Sequence, residues 1–203
     1  MELYLIRHGQ SIGNTVPHDM PDGELTELGR TQALRLAAAV APWQPQQLIA
    51  SPLTRAIETA QPLARALGLP IQVWSHTYEV RNKGPYRGPT AEQLGKLFPE
   101  AAFRGDMDAE GWFCSGDETP ETAHDRAHLV LRELHEKFAG QRVALVAHGG
   151  FNRHLLLAIL GLPADSPVYF HQSNGCIYHI EFTSERTVLH YLGESRSPLV
   201  GFS

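Results

Sequence analysis

Cysteine is nearly missing from this chain: only Cys114 and Cys176 occur in 203 residues. Two are too few for a disulfide framework and show no metal spacing, so a reduced, intracellular setting is expected. Blocks of lysine and arginine are also missing, and the formal net charge is −5. A nucleic-acid partner needs clustered cations for its phosphates, so none is expected. No apolar run nears the roughly 18 residues of a membrane span. The longest, LLLAIL near 155–160, is short, and no membrane partner is expected. No signal peptide is read at the start, because Arg7 and His8 arrive too early; a cytoplasmic location is the expectation. There is no low-complexity tract, internal repeat or linker. A small anionic ligand is not excluded, since a pocket can be positive on an acidic protein.

What remains is an ordinary globular composition, 42% hydrophobic and 19% charged, long enough for one domain with a substantial core over 1–203. Apolar runs at 2–6 (ELYLI), 47–50 (QLIA), 71–74 (IQVW) and 143–147 (VALVA) read as buried strands. Helices are expected over 25–42, 51–68, 119–140 and 149–161. Thr26 and Thr119 are their caps where named, Ser51 is the N-cap of the second with Pro52 as its first residue, Pro62 kinks it, and Gly68 and Gly140 are stops. Segments 176–182 and 187–192 read as a closing antiparallel hairpin. Residues 78–118, rich in Gly and Pro (Gly105 among them) with a short helix near 90–98, read as a lid-like loop and helix insertion. Strands alternating with helices predict an α/β fold: three layers, α/β/α, with a mostly parallel central sheet and antiparallel C-terminal character.

In open α/β sheets, ligands bind beyond the carboxyl ends of the strands. Arg7, His8 and Gly9 follow the first strand. Ser51 and, one turn on, Arg55 follow the second. Glu79 follows the third, and His148, Gly149 and Gly150 follow the fourth. Alone, each has a structural explanation: a bonded loop histidine, a solvated arginine, a surface carboxylate. Together they collect two arginines, two histidines and a carboxylate at one sheet edge.

Those residue types suit a phosphate. Guanidiniums grip its oxygens with paired hydrogen bonds, and backbone N–H groups after Gly9 and at the starts of the Ser51 and Gly149 helices are expected to add to the grip. The same arginines disfavour a metal here. They also lower the pKa of a neighbouring histidine, and a neutral imidazole in line with phosphorus is a nucleophile. Glu79 is the carboxylate available to protonate the leaving oxygen. His148 can stabilise the equatorial oxygens.

The pieces LIRHGQSIGN (5–14), LTELGRTQA (25–33), SPLTRAIETA (51–60), Glu79 to Gly88, ALVAHGG (144–150) and SNGCIYHIEF (173–182) resemble, in order, the histidine phosphatase superfamily, phosphoglycerate mutase-like branch. The resemblance implies His8 as the phosphorylated nucleophile, a pocket of Arg7, Arg55 and His148 joined by Asn14, and Glu79 as proton donor. Ser11 and Gly149 extend the pocket wall. No metal or organic cofactor is implied. One departure stands out: where the family usually has Trp-Glu-Gly, this chain has Tyr86-Arg87-Gly88. Arg87 is read either as a cation at the mouth, favouring a substrate with a second acidic group, or as an exposed loop residue.

The expected activity is hydrolysis of a phosphomonoester of a small metabolite through a phosphohistidine. The alternative is a cofactor-dependent phosphoglycerate mutase. Mutases resembling this chain carry adjacent arginines in the insertion, whereas residues 80–118 hold Arg81, Lys83, Arg87, Lys96 and Arg104, with no such pair. A non-catalytic phosphate-binding domain is disfavoured because nucleophile and acid are both retained. His124 and His128, four apart on a helix, suggest a metal, but no third ligand follows at a known spacing. His18 rims the pocket or is merely solvated. Thr122 is a weak candidate on the lid side, and Asn174 reads as structural.

Overall fold

The computed structural model describes residues 1–103, 107 and 109–194. Arg104 and Gly105 of the predicted insertion lie outside them, as do residues 195–203 of the predicted domain. In chain order the elements are β1 (Glu2–Arg7), α1 (Glu27–Val40), β2 (Gln47–Ala50), α2 (Thr54–Leu67), β3 (Ile71–Val73), β4 (Tyr86–Arg87), α3 (Ala91–Leu97), β5 (Ala101–Phe103), β6 (Phe113–Cys114), α4 (Pro120–Phe138), β7 (Arg142–Ala147), α5 (Gly149–Ile159), β8 (Cys176–Phe182) and β9 (Thr187–Glu194).

Seven strands form one sheet in the order β5-β3-β2-β7-β1-β8-β9. From β5 to β1 all pairings are parallel, and β8 runs antiparallel to both β1 and β9. The central strands are apolar without alternation because both their faces are covered. In β1, Tyr4 and Ile6 face a core built with Leu36 and Val40 of α1 and Ile57 and Leu63 of α2. Leu3 and Leu5 face the opposite core, with Val130 and Leu134 of α4 and Phe151 and Leu155 of α5. This is the expected three-layer arrangement.

Local signals explain most boundaries. Thr26 Oγ1 accepts from Gly29 N–H at the start of α1, and Thr119 and Thr122 form a capping box ahead of Pro120 in α4. Gly68 ends α2 in the left-handed region at φ 65°. Pro62 sits inside α2, which continues to Leu67.

Two expectations are corrected. α2 begins at Thr54, so Ser51 is not its N-cap and Pro52 is not helical. The helix start is held from outside: the Asp22 carboxylate accepts from Thr54 N–H at 2.8 Å and from Thr54 Oγ1 at 3.0 Å. The insertion is also more than loop and helix. Its strand β5 extends the main sheet beside β3, and β4 pairs with β6 in a two-stranded ribbon. Runs of two or three residues are too short to show periodicity; the free edge of β3 selects β5 instead.

Candidate active site

β1, β2 and β7 are neighbours in register, so their carboxyl ends lie level. Arg7 pairs with Ala147, and Ala50 with Val146. His8 and Ser51 continue the ladder, their N–H groups donating to Ala147 and Val146 carbonyls at 3.0 Å. The chain winds from β2 towards β3 with α2 on one face, and from β7 towards β8 with α5 on the other. The residues that follow these strands therefore meet at the reversal of strand order, where α/β sheets open a crevice.

His8 is buried. Its Nδ1 lies 2.6 Å from the Gly9 carbonyl. A carbonyl only accepts, so Nδ1 carries the proton and, in the neutral ring, Nε2 carries the lone pair. Arg55 Nε–H donates to that Nε2 at 3.3 Å. Burial, then Arg55, push the His8 pKa well below its ordinary value; the Gly9 hydrogen bond opposes them, and Arg7 adds a smaller push down. The ring is neutral near pH 7.

His148 is fully buried, its ring centroid 5.1 Å from that of His8. Its Nε2 lies 2.6 Å from Ser51 Oγ, while Nδ1 has no partner. Burial, then Arg55 and His8, also hold it well below the ordinary histidine range. Arg7 bonds the Gln172 carbonyl through Nη1, and its buried Nε has no partner. Arg55 is buried and donates through Nη1 to the Pro21 carbonyl at 2.9 Å.

Glu79 sits on the amino end of α5. Its Oε1 accepts from Val80 N–H at 2.8 Å and Phe151 N–H at 3.0 Å, and its Oε2 from Gly150 N–H at 3.2 Å. A Cβ on residue 150 would come within 2.6 Å of Glu79 Oε1. The second glycine of AHGG is thus the space into which the carboxylate fits. Glu79 and Arg55 also line a cavity of about 200 Å³ whose walls include Leu53, Tyr78, Tyr86, Trp112 and Lys83.

The structure brings Arg7, His8, Arg55, Glu79, His148 and Gly149 to one end of the sheet. Asn14 lies further out and is exposed. Its Oδ1 accepts from Ser11 N–H, Ser11 Oγ and Asn174 Nδ2, and Asn174 also donates to the His8 carbonyl. Ser11 is buried and serves this link.

Three details differ from expectation. The N–H groups after His8 do not point to an anion: Gly9 donates to Thr59 Oγ1, Gln10 to Gln32 Oε1, and Ser11 to Asn14. At the start of α5, Glu79 takes the Gly150 and Phe151 N–H groups, leaving Gly149 outside that contact. Arg87 does not line the cavity; it pairs with Glu110 at 3.6 Å and stacks on Phe113.

A sequence model of the histidine phosphatase superfamily (branch 1) matches residues 3–195. The chain belongs to this superfamily. It is 33% identical over 174 residues to glucosyl-3-phosphoglycerate phosphatase of Mycolicibacterium vanbaalenii, covering 81% of this chain and 76% of the relative. With phosphoglycerate mutase-like protein 4 of Arabidopsis thaliana it shares 32% over 162 residues, covering 76% and 69%. The solved mycobacterial glucosyl-3-phosphoglycerate phosphatase in complex with VO3 superposes with a TM-score of 0.71 at 31% identity, covering 94% of this chain and 97% of that one.

In this histidine phosphatase, sequence reasoning missed the groups that hold the site. Ser51 is the partner of His148. Gln172 holds Arg7 and donates to the Gly149 carbonyl at 2.9 Å. The largest omission is Arg126 on α4. It forms a buried two-pronged ion pair with Glu118, at 2.8 and 2.9 Å, and donates to the His76 and Tyr78 carbonyls. Its guanidinium lies 3.8 Å from the centre of the Tyr78 ring, and Glu118 accepts from Arg81 N–H at 3.3 Å. Residues on both sides of Glu79 are thereby fastened to α4. An arginine eight residues after a glutamate, on an otherwise apolar helix face, was the available signal.

Proposed function

We propose that His8 carries the phosphoryl group during turnover of this chain, a phosphatase of small phosphorylated metabolites. The observation that carries this reading is the fixed tautomer of His8. Its proton is committed to Gly9 O, and its Nε2 lone pair faces Arg55. Two buried N atoms without partners, Arg7 Nε and His148 Nδ1, support an anion beside it, because buried polar groups left unpaired are costly.

When substrate binds, Arg55 exchanges His8 Nε2 for a phosphate oxygen, and Arg7 and His148 take others. The Nε2 lone pair forms the bond to phosphorus as the ester P–O bond breaks, its electron pair leaving with the alcohol oxygen. That oxygen takes a proton from Glu79 Oε2, the carboxyl oxygen with the single backbone contact. Water then attacks the phosphohistidine, Glu79 recovers a proton from it, and the N–P electron pair returns to Nε2 as inorganic phosphate leaves. The reaction balances without a redox partner.

The alcohol part of the substrate occupies the cavity that Arg55 and Glu79 share with Tyr78, Tyr86 and Trp112. Its volume of about 200 Å³ suits a small polar molecule. Arg81 is paired there with Asp19 at 2.7 Å. Lys83 forms no ion pair among the described residues, which supports a substrate bearing a second negative charge. That role, first considered for Arg87, falls to Lys83. Cys114 and Cys176 are buried and form no disulfide, in keeping with a cytoplasmic setting. No helix among the described residues is long and apolar enough to cross a membrane.

The test is rapid quench into alkaline denaturant, in which a phosphohistidine N–P bond survives whereas acid would cleave it, with a phosphate-labelled aryl ester. Wild type should trap label on protein, and His8→Ala should trap none and turn over none. Survival of turnover in His8→Ala would overturn the proposal. A second assay, 3-phosphoglycerate with 2,3-bisphosphoglycerate, should release phosphate. Formation of 2-phosphoglycerate without phosphate would make the chain a mutase.

A further inference from the structure

We propose that Glu2, His179, Glu181 and His190 bind a divalent cation of the zinc type at the far end of the sheet from the active site. Glu2 opens β1, and Arg7 closes it. Five residue steps of strand separate the two ends by about 17 Å.

The register builds this cluster. Glu2 stands opposite Glu181, and His179 opposite His190. Residues 179 and 181 lie on one face of β8 because side chains alternate along a strand. Three strands therefore deliver two imidazoles and two carboxylates to one patch. His179 Nε2 lies 3.0 Å from Glu2 Oε2 and 4.0 Å from Glu181 Oε1, and His190 Nε2 lies 3.4 Å from Glu181 Oε1. One ligand atom from each of His179, Glu181 and His190 falls within 4.8 Å of the others. Around a tetrahedral ion with bonds of about 2.0–2.2 Å, ligand atoms stand about 3.3–3.6 Å apart. Small rotations of the half-exposed Glu181 and His190 close the remaining gap.

Two observations besides proximity support a built site. The His179 ring is held between the Tyr4 ring, 4.8 Å away, and the His190 ring, 5.4 Å away. The Tyr4 hydroxyl donates to Glu2 Oε2 at 3.0 Å, the kind of outer hydrogen bond that fixes a ligating carboxylate. Two nitrogens and two oxygens suit zinc and its first-row neighbours, whereas magnesium and calcium prefer oxygen alone. A bound ion would strap β9, at the edge of the sheet, to β1 through β8. His124 and His128 do not compete on these terms. Their Nε2 atoms are 3.1 Å apart, and no third His, Cys, Asp or Glu joins them among the described residues.

The experiment is calorimetric zinc titration of the full chain in metal-free, phosphate-free buffer, with thermal unfolding followed in parallel. Wild type should bind one zinc and unfold at a higher temperature with it. His190→Gln and Glu181→Gln should each weaken binding by at least about tenfold and lose the thermal shift, while His128→Gln keeps both. Circular dichroism checks folding; Glu181→Gln decides if His190→Gln does not fold. Absence of saturable binding in wild type, wild-type affinity in folded His190→Gln and Glu181→Gln, or loss of binding in His128→Gln would overturn the proposal.

Discussion

Arg55 Nε donates to His8 Nε2 across 3.3 Å, so a permanent cation rests on the lone pair assigned to attack phosphorus. The contact does two things. It lowers the pKa of His8, and it keeps a guanidinium where phosphate oxygens will arrive. Arg55→Lys retains the charge but loses the planar fork. The expected result is a fall in kcat/KM of about 10²–10³-fold, comparable to removing one transition-state donor, with the fold unchanged by circular dichroism. Steady-state kinetics on an aryl phosphate is the check.

The depressed pKa values of His8 and His148 set a pH dependence of stability. Both rings stay neutral in the folded protein, while in the unfolded chain they protonate near the ordinary histidine pKa of about 6.5. Below that pH the unfolded state binds more protons, so stability falls as pH falls and is fully present above it. Each histidine contributes a slope of up to about 1.4 kcal/mol per pH unit below about pH 6. Urea unfolding between pH 5 and pH 7.5, for wild type and His8→Gln, measures this. The variant should show a visibly shallower dependence.

Glu79 can be tested by the leaving group. If it protonates the departing oxygen, Glu79→Gln should slow an alkyl phosphate by about 10²–10⁴-fold. A nitrophenyl phosphate, whose leaving group needs little protonation, should lose much less. Equal losses on both would assign Glu79 to binding alone. Gly150→Ala, which drives a Cβ towards Oε1, should follow the same pattern in milder form.

The Arg126–Glu118 pair separates positioning from stability. Arg126→Met leaves a buried carboxylate unpaired and should cost about 3–5 kcal/mol in denaturant unfolding. Adding Glu118→Leu removes that stranded charge and should restore much of the stability. Activity should stay low in the double variant, since the donors to the His76 and Tyr78 carbonyls are still missing. Recovery of both together would reduce Arg126 to a structural role.

The α/β class, the buried central strands, most helix boundaries and the five charged or imidazole side chains that meet at the sheet edge are legible in the sequence alone. These signals are local: continuous apolar runs, Thr caps, Gly stops, and polar side chains directly after strands. In a parallel sheet the carboxyl ends of neighbouring strands must lie together, so Arg7, His8, Arg55, Glu79 and His148 can be grouped from their places after the strands. What each group touches depends on the folded chain. Ser51 reads locally as a helix cap, yet Asp22, 32 residues before Thr54, holds that helix start and frees Ser51 for His148. The N–H groups at the start of α5 read as a phosphate cradle, yet Glu79 occupies two of them. The two-residue strands of the insertion gave no periodic signal, and the spacing of Arg126 from Glu118 could not show that Arg126 also holds the His76 and Tyr78 carbonyls, about 50 residues earlier in the chain. Hydrogen-bond partners and short strand pairings depend on distance in space, and spacing along the chain carries that information only where the chain is locally regular.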